Sequence, residues 1–213
     1  RGGSGDPGHD TAVGVFHGIR AACAQAFGAD DLAGRTVIVQ GAGSVGRTLV
    51  GLLADAGAEV LVADVDETRA AAAAAAGGAT VVAAADAVGT PCDVLAPCAT
   101  GGLLSEETIP GLKCRVIAGS ANNQLATPED AGRLHEAGIL YAPDYVVNAG
   151  GVIHLAGYET LGWDAATVGD RLVAIGRTLA EVFDAAARDG VTPSEAADRH
   201  ARARIEAARP APG

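Results

Sequence analysis

An apolar run, Thr36-Val37-Ile38-Val39-Gln40, leads directly into Gly41-Ala42-Gly43-Ser44-Val45-Gly46. A helix-like segment over residues 44–57 follows, closed by Gly57, and then a second apolar run, Val60-Leu61-Val62-Ala63, ends in Asp64. No other stretch restricts the fold as much. A G-x-G-x-x-G pattern set between a strand and a helix, with an acid at the end of the next strand, is the full context of a dinucleotide-binding βαβ unit. Gly41 suits the tight turn, Gly43 lets the backbone approach a pyrophosphate, and Gly46 lets helix and strand pack closely. The helix N-terminus offers unpaired N–H groups and the positive end of its dipole to phosphates. Asp64 lies 18 residues beyond Gly46, close to the spacing of about 20 expected for the carboxylate that binds adenosine ribose hydroxyls. Its charge repels a 2′-phosphate, so NAD is expected over NADP.

Short β-type runs recur at residues 80–82, 93–96, 115–118 and 139–141, with helical or irregular stretches between them. That alternation predicts an α/β fold: a Rossmann-type, doubly wound, mostly parallel sheet with helices on both faces. Asp10 reads as the N-cap of a helix to about Phe27, and Asp66 as the cap of a helix through the alanine run to Gly77-Gly78. Thr127-Pro128 reads as a helix start with Pro in the first position. After Gly151 the strand signals stop. Asp164 is expected to cap a long helix over 165–189 with one apolar stripe, and Thr192-Pro193-Ser194-Glu195 has a capping-box pattern opening a final helix to about Ala208. No internal repeat is visible.

Composition narrows the function. With 213 residues, 49% of them hydrophobic, the chain can bury a sizeable core. A net charge of −11 argues against nucleic acid and anionic membranes as partners. No window reaches the ~18 apolar residues of a membrane span, and no signal peptide is present. Cys23, Cys92, Cys98 and Cys114 show neither C-x-x-C pairing nor a His at ligand spacing. They are expected as reduced thiols of a cytoplasmic protein, with no structural metal. His9, His17, His135, His154 and His200 show no ligand spacing either and read as surface or packing residues. The sequence has no Met, begins with Arg and holds one lysine, Lys113, which reads as a piece of a longer protein.

Further segments carry more than βαβ physics. Thr11-Ala12-Val13-Gly14-Val15, Ala96-Pro97-Cys98-Ala99-Thr100-Gly101-Gly102, Ser120-Ala121-Asn122-Asn123-Gln124-Leu125 and Tyr141 through Gly151, with its Asn148-Ala149-Gly150-Gly151, closely resemble the amino-acid dehydrogenases acting on leucine, valine and phenylalanine. The likeness spans nearly the whole chain. Ile153 through Trp163 looks more like the phenylalanine branch, while Ser120 through Leu125 is equally at home in the other two. The resemblance implies oxidative deamination of an apolar L-amino acid to a 2-oxo acid and ammonia, with hydride passing to NAD. It also implies two domains, of which this chain matches the cofactor-binding half. The division expected is a hinge and linking helix over 1–30, an NAD-binding Rossmann domain over 31–151 and a helical segment over 152–213 packing back toward the cleft. The N-terminal substrate domain is absent, and the full-length enzyme is expected to be a homo-oligomer.

By the same resemblance Thr11 contacts the nicotinamide carboxamide, and Gly41, Gly43, Ser44 and Val45 hold the pyrophosphate. Asp64 takes the adenosine ribose. Cys98 and Ala99 lie along the nicotinamide ribose and ring, Asn123 lines the nicotinamide side of the cleft, and Asn148 faces nicotinamide and substrate. Amide side chains that both donate and accept suit a carboxamide edge, and hydride transfer needs the ring fixed at near-attack distance. No direct chemistry is expected of the Cys98 thiol. Asn148 could equally cap a helix or fill a turn, and Trp163 reads as a packing anchor. The family's chemistry relies on two lysines and an aspartate of the preceding domain, one lysine serving as general base. Lys113, in Pro110-Gly111-Leu112-Lys113-Cys114-Arg115, does not match that context, so no residue here is assigned as the catalytic acid or base. A freestanding, non-catalytic NAD-binding module is the alternative. An upstream lysine in a Gly-Gly-Gly-Lys-type context would favour the enzyme.

Overall fold

The computed structural model describes residues 3–209; Arg1 and Gly2 of the glycine-rich lead-in and the last four residues of the 152–213 segment lie outside the described residues. Eight α-helices and six strands occur along the described chain, alternating as far as β3. The first helix, α1 (Gly8–Phe27), is followed by β1 (Thr36–Gln40), α2 (Ser44–Asp55), β2 (Glu59–Ala63), α3 (Glu67–Gly77) and β3 (Thr80–Val81). The second half holds β4 (Val94–Pro97), a 3₁₀ turn (Ile109–Gly111), β5 (Val116–Ile117), α4 (Asp130–Glu136) and β6 (Leu140–Tyr141). Then come α5 (Asp144–Val147), α6 (Gly150–Leu155), a π-helical segment (Ala156–Leu161), α7 (Ala165–Asp189) and α8 (Pro193–Ala207).

All strands pair in parallel, in the order β3-β2-β1-β4-β5-β6. This is the doubly wound Rossmann order, with its switch point between β1 and β4. Val37, Ile38 and Val39 are buried on both sides of the sheet, as a central parallel strand requires. Ile38 faces a cluster with Leu95, Ile117, Leu134 and Tyr141. Val37 and Val39 face a larger one. That larger core runs from Ile19 of α1 through β1 and β2 to Leu172, Ile175 and Leu179 of α7. The changes of character near residues 30 and 151 are therefore not breaks in the core.

The local signals of the sequence mostly become the observed ends. Asp66 and Asp164 accept hydrogen bonds from the first-turn N–H groups of α3 and α7, and Thr192 with Glu195 forms the capping box of α8. Gly78, Gly162 and Gly190 adopt positive φ where helices stop. Two readings are corrected. Asp10 does not cap α1; the helix begins two residues earlier, and Asp10 lies in its first turn with its carboxylate 2.8 Å from His154 Nδ1. Pro128 is not the first residue of α4, because the Thr127 hydroxyl turns to the Asp130 carboxylate and the helix opens at Asp130. Residues 150–161 are helical despite two leading glycines. Those glycines serve close packing: a Cβ on Gly150 would lie 2.4 Å from the Asp10 carbonyl oxygen.

Candidate functional site at the switch point

Because every strand is parallel, the segments following β1, β2, β4, β5 and β6 all emerge along one edge of the sheet. The turn after β1 is Gly41–Gly46. Gly41 has φ +109°, and a Cβ there would lie 2.8 Å from the Ala99 nitrogen, so this glycine lets the β1 turn touch the loop after β4. A Cβ on Gly46 would fall 1.9 Å from the Gly41 carbonyl oxygen, which ties helix to strand. Gly43 differs: a Cβ there meets nothing within 4 Å.

The helix behind this turn is ready for an anion. Gly43 is the N-cap of α2, gives no side-chain cap, and no acid stands in the first turn. The leading N–H groups of Ser44 and Val45 are thus free of the carboxylates that cap α3 and α7. Asp64, at the end of β2, accepts a hydrogen bond from the Ala42 N–H at 2.7 Å and another from the Asp66 N–H at 2.8 Å. These bonds, the first above all, hold its carboxyl below the usual range, and the nearby Arg69 assists. A charged carboxylate is therefore fixed one strand over from the turn.

On the other side of the crevice, Cys98 and Ala99 follow β4. The Cys98 N–H donates to the Gln40 carbonyl at 2.6 Å. Burial pushes its thiol pKa up, against hydrogen bonds from Ser120 that pull it down, so the sulfur is a packing group. A Cβ on Gly101 would strike the carbonyls of Asn122 and Asn123, which shows how closely the β4 and β5 loops approach. Thr11, in α1, donates its hydroxyl to the Pro7 carbonyl and stands 3.0 Å from where a Gly151 Cβ would be. Thr11 and the Asn148–Gly151 segment are thus neighbours although far apart in sequence.

The two asparagines of the β5 loop separate in role. Asn148 Nδ2 donates to Asn122 Oδ1 at 2.7 Å and to the Ser120 carbonyl at 3.3 Å. Asn123 instead takes a left-handed backbone, φ 53°, accepts a bond from Gly102 N–H, and lines a neighbouring cavity beside Asp144 and Tyr145. Residue type alone could not distinguish the pair. Two further features escaped the sequence reading. Asp6 accepts the Ser44 hydroxyl hydrogen bond at 2.5 Å and the Gly8 N–H bond at 2.9 Å, placing a carboxylate on the glycine-rich turn. His154, rather than merely filling space, is buried, paired with Asp10, and stacked edge-on against Tyr158 at 4.9 Å. The next helix face is apolar yet open: Val152 is 70% and Leu155 44% exposed, directly after Asn148 in the chain.

Lys113 stands before β5, at the opposite edge of the sheet from these loops. Among the described residues no cluster of His, Cys, Asp and Glu could hold a metal ion, and no helix is long and apolar enough to cross a membrane.

Residues 2–68 and 61–213 match the family model described as Glutamate/Leucine/Phenylalanine/Valine dehydrogenase. The chain is 45% identical over 210 residues to leucine dehydrogenase of Geobacillus stearothermophilus, covering 99% of this chain and 57% of that protein. It is 41% identical over 210 residues to phenylalanine dehydrogenase of Lysinibacillus sphaericus, covering 96% of this chain and 55% of that protein. Among solved structures, L-tryptophan dehydrogenase from Nostoc punctiforme superimposes with a TM-score of 0.91 at 40% identity, covering 95% of this chain and 62% of that one. The chain thus spans little more than half the length of the curated relatives it matches.

Proposed function

Since the chain belongs to the Glutamate/Leucine/Phenylalanine/Valine dehydrogenase family, we propose that it is the NAD-binding domain of an enzyme that deaminates an apolar L-amino acid oxidatively. The products are the 2-oxo acid and ammonia. The observation that carries the reading is the crevice at the β1/β4 switch point, where an uncapped α2 N-terminus and open space at Gly43 stand beside the Asp64 carboxylate. Gly41, Gly43, Ser44, Val45 and Gly46 would hold the pyrophosphate, and Asp64 the adenosine ribose hydroxyls. Asp64 is already charged and hydrogen-bonded, so a 2′-phosphate would meet repulsion and NAD is the dinucleotide of choice.

Thr11, Cys98, Ala99, Asn122, Asn123 and Asn148 would border the nicotinamide end. The Asn148–Asn122 bond fixes one amide against the other, which would suit a carboxamide edge held in place there. When bound, NAD supplies the hydride acceptor. The residues of this chain bind and orient it, and the exposed apolar face of Val152 and Leu155 offers a surface suited to an apolar side chain. Lys113 lies at the wrong edge of the sheet to serve as base. That task falls to lysines of a preceding substrate domain, which together with this domain would form the complete enzyme, a homo-oligomer acting in the cytoplasm.

Calorimetric titration of the 213-residue chain with NAD, NADP and ADP-ribose tests the binding half of this reading. NAD should bind at least about tenfold more tightly than NADP, and Asp64→Ala should remove that preference. Equal affinity for both dinucleotides in the unmodified chain, or no binding of either, would overturn it.

A further inference from the structure

A second cavity, of about 410 Å³, lies between α5, α6, α7 and α8, and none of its lining residues belongs to the glycine-rich turn. Its walls are apolar, formed among others by Val146, Ile153, Ile175 and Val182. Three basic side chains complete the lining: Arg171 and Arg204 from α7 and α8, and His200 from α8. No aspartate or glutamate lines it. That is unusual in a chain with 26 acidic residues against 15 Lys and Arg, where a random patch would be acidic.

The two guanidinium groups are exposed, and the imidazole is half-buried. Among the described residues neither Arg171 nor Arg204 has a carboxylate within 4.0 Å. Arg171 lies instead over the Trp163 ring, 5.2 Å from its centre. His200 Nε2 is buried without a hydrogen bond, its nearest carboxylate, Glu181, being 4.0 Å away. Buried polar atoms are ordinarily satisfied, and an exception points to a missing partner. Guanidinium groups bind carboxylates through paired N–H bonds, and the volume falls in the range of small-molecule sites.

We propose that this cavity binds a small amphipathic carboxylate, its apolar tail between α6 and α7 and its anionic head on Arg204, His200 and Arg171. The site has a route to the crevice. Ala149, the N-cap of α6, and Ile153 line it, while Val152 and Leu155 of α6 are exposed, and Ala149 follows directly on Asn148. Filling the cavity would steady that helix. The binding itself does not depend on the NAD reading; only this last consequence rests on it.

Trp163 is the sole tryptophan and touches a cation of the site, so its fluorescence reports occupancy. The 213-residue chain is titrated with octanoate, octanol and octylamine, with calorimetry alongside. Octanoate should give a saturable shift, octanol should bind about tenfold or more weakly, as the loss of a charged hydrogen bond requires, and octylamine should not bind. Arg204→Gln should weaken octanoate about tenfold and leave octanol unchanged. Ala174→Leu, which fills the cavity, should abolish both while melting as the parent does. If filling the cavity unfolds the chain, the Arg204→Gln comparison decides alone. Equal affinities for octanoate and octanol, or no heat and no shift with octanoate, would overturn the proposal. So would a dimer in light scattering that Arg204→Gln dissociates, since a second copy would then be the occupant.

Discussion

Gly43 and Gly46 stand three residues apart in one motif yet answer to different demands. A methyl at Gly46 meets a backbone oxygen at 1.9 Å, whereas one at Gly43 enters free space. Gly46→Ala should therefore lose about 1–3 kcal/mol of stability. Gly43→Ala should melt as the parent does and lose NAD affinity alone; thermal melts beside calorimetry separate the two. Asp6 makes a different claim on the same turn. Its carboxylate holds the Ser44 hydroxyl, and that bond lowers the carboxyl pKa most. A pyrophosphate must win the hydroxyl from an anion, so Asp6→Ala should tighten NAD about two- to fivefold. Unchanged or weaker binding would show that Asp6 does not compete. Asp64 adds a pH dependence. Its folded pKa is depressed, so its contribution to stability is present above the unfolded value of about 3.9 and is lost as pH falls through the folded value. Urea titrations from neutral pH into the acid range should show Asp64→Asn losing less stability than the parent. At this scale the glycine-rich turn and the helix it opens were legible, since their residues are contiguous. The sequence could not separate Asn122 from Asn123, or pair Asp10 with His154, because those distinctions depend on a backbone angle and on contacts between distant segments.

The elements were legible wherever a local signal exists. The alanine run needed only Asp66 and Gly78 to bound it, and α8 announced itself by its capping box. The strands β3, β5 and β6 are two residues each, shorter than the apolar runs that foretold them, since a run's hydrophobicity reports burial and not where the ladder ends. α6, which lies mostly inside the segment expected to be helical, has a weak signal of its own for a physical reason. Its first two residues are glycines, poor helix formers, and it holds its place through tertiary contact with α1. Gly150 fits against the Asp10 carbonyl and the Thr11 Cα, and Gly14 and Gly18 of α1 fit against Ile175 and Val147. This seam sets the position of Asn148 relative to Thr11. Gly150→Ala should thus push α6 from α1 and loosen the nicotinamide end while leaving the α2 turn intact. ADP-ribose affinity should hold within about twofold, and the advantage of NAD over ADP-ribose should shrink. Parallel titrations of the two ligands check this; an equal fall for both would place the damage in the sheet.

For the whole molecule, the dominant long-range fact is the charge of −11. A dinucleotide is itself an anion, so at low ionic strength it approaches against a repulsive field. The local attraction is of another kind. The α2 N-terminus offers backbone N–H groups, and the side-chain charges near its turn are mixed: Arg47 and Arg69 stand against Asp6 and Asp64. Backbone dipoles act within the first turn and through hydrogen bonds, whereas the net charge acts across the Debye length, which shrinks from about 30 Å at 0.01 M salt to about 8 Å at 0.15 M. Added salt therefore screens the repulsion more than it screens the binding. NAD affinity should hold or improve by about twofold over that range, opposite to sites that collect phosphates with clustered Lys and Arg. Inert salt should be used, because phosphate or sulfate would compete for the turn. Should affinity instead fall steeply with salt, side-chain cations would be holding the pyrophosphate, and the division of labour between Gly43, Ser44 and the α2 terminus would have to be redrawn.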